Sequence, residues 1–146
     1  YNKMGLLALS DGEGSDMSAL LNSDKIQAQF AVDYFTHQVR AAIGGYAAKY
    51  GNIDALVFTG GIGEHSSLIR KKICDPLKFL NFELSDTANQ SQLTALNKTT
   101  SKPVLLIHAD EEVEMARMVS ELMAIQFDWE SYTHPIASND FNVEAR

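Results

Sequence analysis

The chain has 146 residues, 45% of them apolar, with a formal charge of −7 and a pI near 4.9. That length fits one ordinary domain, which buries about two-thirds of its unfolded surface, and the acidic balance argues against a nucleic-acid groove or an anionic membrane surface, since both want clustered Lys and Arg. One cysteine excludes an internal disulfide framework and a Cys zinc cluster; with no run near the ~18 apolar residues of a membrane span and no visible signal peptide, a soluble cytoplasmic protein is the default.

The chain starts without an initiating methionine and runs directly into Gly5-Leu6-Leu7-Ala8-Leu9, an entry that suggests a fragment. Ser10 to Ser15 is a loop by turn chemistry, and Asp16-Met17-Ser18-Ala19-Leu20-Leu21 opens a first helical turn or two. Taken alone, Asp16 reads as a loop or cap residue. Asn22-Ser23-Asp24 is expected to cap a long helix reaching about Tyr50. Ala28, Val32, Phe35, Val39, Ala42, Ile43, Tyr46 and Tyr50 fall on its one apolar face, which predicts a packing helix. Gly44-Gly45 weakens the helix and predicts close contact with another element there. His37 has no ligand partner at metal spacing. Gly51-Asn52 ends the helix.

Ala55 to Phe58 is a short apolar run with the character of a buried strand. Gly60, Gly61 and Gly63 follow as a glycine turn, then Glu64-His65-Ser66 and a helix from about Ser66 to Cys74. Cys74 reads as a small core residue. Pro76 stops that helix. Leu80, Phe82 and Leu84 alternate with Asn81 and Glu83, predicting a short strand. Thr87 to Lys102 is polar and reads as a surface connection with one turn around Leu93 to Leu96. A second buried strand spans Val104 to Ile107. Asp110-Glu111-Glu112 then opens a helix to about Gln126, with Val113, Ala116, Val119, Met123 and Phe127 inward. No internal repeat occurs. The expected division is a domain at 1–127 and a tail at 128–146, the tail either docked through Trp129 and Tyr132 or mobile.

Two stretches carry chemistry. A strand–glycine–helix unit serves either as a tight connection needing glycine for geometry, or as an anion cradle in which free N–H groups and a positive dipole end meet a nucleotide. The acidic trio at 110–112 is either dipole compensation in a first helical turn or a set of oxygen ligands suited to Mg²⁺.

The order Val57-Phe58-Thr59-Gly60-Gly61-Ile62-Gly63-Glu64-His65-Ser66 resembles the Phe-Thr-Ala/Gly-Gly-Ile-Gly-Glu-Asn-Ser segment of acetate kinases. Gly5-Leu6-Leu7, Leu9-Ser10 and Ser15-Asp16-Met17 resemble that family's Gly-Leu-Leu…Leu-Ser…Ser-Asp-Met-Arg stretch, with Ser18 where the family has arginine. Leu106-Ile107-His108-Ala109-Asp110-Glu111-Glu112 resembles Val-Ile-Pro-Thr-Asn/Asp-Glu-Glu, with His108-Ala109 replacing Pro-Thr. Three ordered motifs are far more specific than any one.

The resemblance implies an α/β domain of the actin-like ATPase and ribonuclease H-like class, shared by acetate and sugar kinases, Hsp70 and actin, and the C-terminal half of such an enzyme. It implies ATP and Mg²⁺ as cofactors. Asp16, Met17 and Ser18 would lie at the adenosine, with Gly61, Ile62, Gly63, Glu64 and His65 as the ATP-binding loop and Glu111 on the metal side. It also implies reversible transfer of the γ-phosphoryl group to acetate, and a homodimer formed through this domain. The family's catalytic residues lie in its other half, so no catalytic residue is assigned here, and this chain alone is expected to be inactive. Two rivals stand beside it. One is a remnant that binds nucleotide or a partner without chemistry. The other is a dinucleotide-binding half, since Gly61-x-Gly63-x-x-Ser66 comes within one glycine of that pattern.

Overall fold

The computed structural model describes residues 5–123, apart from the side chain of Glu111. The tail at 128–146 and Phe127 lie outside the described residues. The chain divides into two compact units, Tyr1–Ala109 and Asp110–Arg146.

In the first unit, α1 (Leu6–Leu9) and α2 (Met17–Leu21) lead into α3 (Ile26–Tyr50). The buried Ser10 hydroxyl closes the loop after α1, accepting from the Gly14 N–H at 3.3 Å. The α3 helix starts one residue later than expected, with Lys25 at its N-cap and no side-chain cap. Ser23 instead accepts from the Lys25 N–H, at 3.3 Å. Ala28, Ala31, Val32 and Thr36 are buried, and the small alanines let α3 approach α1 and α2.

The expected core face holds only over the first two-thirds of α3. Phe35, Val39 and Ile43 are half-buried, Ala42 is exposed, and Tyr46 and Tyr50 stack on each other with most of their surface in solvent. Among the described residues, no atom outside the helix's own backbone lies within 4 Å of a Cβ placed at Gly44 or Gly45, so the predicted close contact is not seen there. A helix of 25 residues is about 37 Å long. It outruns a core built on strands of three residues. Gly51, left-handed at φ 78°, ends it.

The strands β1 (Leu56–Phe58) and β2 (Val104–Leu106) pair in parallel, Leu56 opposite Val104 and Phe58 opposite Leu106. The outer edge of β2 is covered by the chain's own 94–97 segment, through Leu96 N–H to Val104 O and Leu106 N–H to Thr94 O, each 2.8 Å.

Between the strands lie α4 (Gly60–His65), α5 (Ser67–Cys74), a 3-10 turn (Asp75–Leu80) and α6 (Asp86–Gln90). The glycines do not form an open turn. They build α4, and of the three only Gly60 needs positive φ, at 71°. The α5 helix ends at Cys74, as expected ahead of Pro76, which sits in the first turn of the 3-10 segment that continues the chain, where its missing N–H costs nothing.

The expected strand at Leu80–Leu84 is not formed. Left-handed Asn81 breaks it, leaving one isolated bridge from Leu84 to Asn97, though Phe82 and Leu84 are buried as their alternation suggested. The segment expected to be a surface connection holds all of α6 but its first residue, with buried Asn89 and fully buried Leu96. Cys74 is 1% exposed and lies in the core.

The second unit contributes α7 (Glu111–Leu122), capped by Asp110, whose carboxylate accepts from the Val113 N–H at 3.0 Å. Its inward face differs from expectation. Ala116, Val119 and Met123 are exposed, whereas Ser120 is buried. No helix among the described residues is long and apolar enough to cross a membrane.

Candidate functional site

A cleft of about 520 Å³ is lined from one side by Ser15, Asp16, Met17, Ser18, Leu21 and Asn22. Gly61, Ile62, His65 and Ser66 line it from the other. Two stretches about forty residues apart in sequence thus meet at one hollow of mixed polarity, the form of a small-molecule site. Local chemistry fixes both walls. Asp16 caps α2, its carboxylate accepting from Ala19 N–H at 3.0 Å and Ser18 N–H at 3.4 Å. Met17 is buried behind it. Ser66 caps α5 through its hydroxyl, which accepts from the Ile69 N–H at 3.2 Å.

Gly63 and Glu64 are not among the lining residues. Gly63 packs on Phe58, where a Cβ would come within 3.5 Å of the Phe58 backbone. Glu64, 7% exposed, turns away from the cleft toward the ends of the strands. One carboxylate oxygen accepts from Gly60 N–H at 2.7 Å and Ala109 N–H at 2.8 Å. The other meets His108 Nδ1 at 2.7 Å. The Ala109 amide above all, with His108 and Gly60, holds this carboxyl below the usual carboxylate range against the opposing pull of burial. Glu64 therefore binds the start of α4 to the end of β2.

A second fastening was not foreseen from the sequence. Arg70 is fully buried. Its Nη1 donates to the carbonyls of Gly63 (2.7 Å) and Glu64 (2.8 Å), at the C-terminal end of α4, where a cation is favoured. Its Nε and Nη2 donate to Asn89 Oδ1 and O, at 2.7 and 2.8 Å. Burial lowers the guanidinium pKa, yet arginine keeps its charge in proteins. The signal available in the sequence was an arginine amid the apolar spacing of α5.

Glu111 opens α7 in the second unit, and its side chain lies outside the described residues. Among the described residues no group of three His, Cys, Asp or Glu side chains is arranged to hold a metal ion. Mg²⁺ needs no such cage, because it takes one or two carboxylates and fills its remaining positions from water and phosphate.

The fold is that of the actin-like ATPase class of mixed α/β domains. Acetate kinase from Entamoeba histolytica aligns over 82% of this chain and 34% of its own, with TM-score 0.72 and 33% identity. Propionate kinase from Francisella tularensis aligns over 79% of this chain and 30% of its own, with TM-score 0.70 and 34% identity. Residues 1–117 match the Acetokinase family, and the chain belongs to it. Acetate kinase from Rickettsia felis is 37% identical over 124 residues, covering 84% of this chain but 32% of that relative. The chain thus spans about a third of the length of the curated relatives it matches. Membership of this family sets aside the dinucleotide-binding alternative.

Proposed function

We propose that this chain supplies the adenine-nucleotide side of an acetate kinase, an enzyme that reversibly transfers the ATP γ-phosphoryl group to acetate to give acetyl phosphate. The observation that carries this reading is the single cleft shared by Asp16-Met17-Ser18 and Gly61, Ile62 and His65. The cleft has apolar surface from Met17, Leu21 and Ile62 for a purine face. Asn22, Ser18 and His65 offer polar groups for its edge and the ribose. Gly63 and Glu64 act in the same segment by fixing its backbone. Glu111 stands on the metal side. When bound, Mg²⁺ would neutralise phosphate charge and orient the γ-phosphoryl group.

The unit of function is taken as residues 1–127, with 128–146 as a tail, in a cytoplasmic homodimer. Exposed Ile26, Phe30 and Tyr34, four residues apart on one stripe of α3, are the surface that supports self-association. Calorimetric titration of the chain with Mg-ATP tests the reading. Micromolar binding supports it, and absence of binding at millimolar nucleotide overturns it.

One observation favours a second reading, a nucleotide-holding domain without chemistry. Among the described residues, no Lys or Arg lines the cleft. Acetyl phosphate formation by the full-length product of the source gene excludes that reading.

A further inference from the structure

The six residues of α4 include three glycines. Glycine is among the poorest helix formers, and one short helical stretch cannot sustain itself in water. Yet α4 presents Gly61, Ile62 and His65 to the cleft. Its placement must come from outside, and two fastenings supply it. Arg70 holds the carbonyls at its C-terminal end. At its start, the Glu64 carboxylate holds the Gly60 N–H and ties it to His108 and Ala109, just beyond β2.

The two carboxylate oxygens are not equivalent. The oxygen that takes both backbone N–H groups is fully employed, whereas the other is met by the His108 imidazole. A buried carboxylate needs partners on both oxygens to keep its charge without loss. The imidazole itself is 64% exposed and contributes little to the core. Because a carboxylate accepts, Nδ1 carries the proton and donates, leaving Nε2 toward solvent.

We propose that His108 is a positioning residue for the nucleotide-lining segment: through Glu64, it sets where α4 presents Gly61, Ile62 and His65 to the cleft. The inference rests on the nucleotide reading above for its consequence, but not for its geometry. Other charged or titratable groups close by are Arg70, which donates to the Glu64 carbonyl, His65 on α4 itself, and Asp110, two residues along the chain.

The test compares the 146-residue chain with its His108→Ala and His108→Asn variants. Asparagine can return one N–H to the carboxylate; alanine cannot. Long-range ¹H–¹⁵N NMR of the wild type should find His108 protonated at Nδ1. The amide resonances of Gly60 to His65 should move in His108→Ala and return toward wild type in His108→Asn, while both variants keep a cooperative thermal transition. Affinity for Mg-ATP should fall about tenfold in His108→Ala, or about 1.4 kcal/mol, and recover in His108→Asn. An Nε2-protonated imidazole overturns the proposal, as do α4 resonances indifferent to His108→Ala. Failure of the wild type to bind Mg-ATP would sink the nucleotide reading alone, since the α4 resonances still decide the role of His108.

Discussion

Arg70 grips Asn89 twice, through Nε to the side-chain oxygen and Nη2 to the backbone carbonyl. Asn89 in turn donates its amide to the Ser67 carbonyl at 2.9 Å. This closes a buried polar circuit linking α5 and α6 to the end of α4. Arg70→Ala leaves the carbonyls of Gly63, Glu64 and Asn89 without that donor. The expected cost is about 3 kcal/mol or more, a large part of the stability of a domain this size. Arg70→Lys keeps the charge but lacks the planar fork, and should recover less than half of the loss. Urea denaturation midpoints of the three proteins check this. A midpoint unchanged in Arg70→Ala contradicts it.

Glu64 makes a pH-dependent contribution with a definite sign. Its carboxyl is held below the ordinary value in the folded state. The stabilisation is therefore fully present above the unfolded pKa, near 4.5, and is lost as pH falls through the lower folded value. Glu64→Gln should be less stable than wild type at pH 7, and the gap should close progressively below that unfolded pKa. Thermal melts of both proteins from pH 7 to pH 3 measure it. A gap constant across that range would refute the assignment.

Ser18 lines the cleft, at the position where the resembling Ser-Asp-Met-Arg motif has arginine. A guanidinium there can stack on a purine, whereas a hydroxyl cannot. Ser18→Arg should tighten ATP binding about five- to tenfold, the equivalent of about 1 kcal/mol. Calorimetry with ATP decides the matter. Equal affinities would mean that residue 18 does not face the base.

Removal of metal should weaken nucleotide binding if Glu111 has the role assigned to it. Wild-type chain is expected to bind Mg-ATP more tightly than ATP in excess EDTA. Glu111→Gln should narrow that difference by weakening the Mg-ATP arm only. Parallel titrations with and without chelator read the effect, and an unaltered difference argues against Glu111.

Hydroxamate assay of the isolated chain with Mg-ATP and acetate is expected to detect no acetyl phosphate. Phosphoryl transfer needs cationic groups over the γ-phosphate, and among the described residues no Lys or Arg lines the cleft. Turnover by this chain alone would require a catalytic group that the present assignment lacks.

The elements most legible in the sequence were those whose signal is local. Leu56–Phe58 and Val104–Leu106 were marked by short apolar runs, and Gly51 marked the end of α3. The cleft was legible through motif order, which brought Asp16 and Gly61 into one site before any geometry was known. What could not be read depends on partners distant in the chain. The tyrosines at 46 and 50 share the helical period of the core, but period alone does not say where the core stops. Leu96 sits in a polar stretch and is buried because it pairs with β2. Glu64 carries the motif's letter, yet its direction is set by Ala109 and His108, more than forty residues further on. Arg70 drew no reading from the sequence, because its partner Asn89 lies 19 residues further on.

Cys74, the one cysteine of the chain, is 1% exposed, and burial pushes its thiol up to about 12. Only the thiolate attacks an alkylating reagent, so the native molecule should be nearly inert to iodoacetamide at neutral pH. Each opening of the core would convert it to an ordinary, reactive sulfhydryl. The rate of label uptake is thus an intrinsic clock for opening, readable by mass spectrometry with no engineered probe. Run with and without nucleotide, the same clock would report ligand protection independently of any turnover.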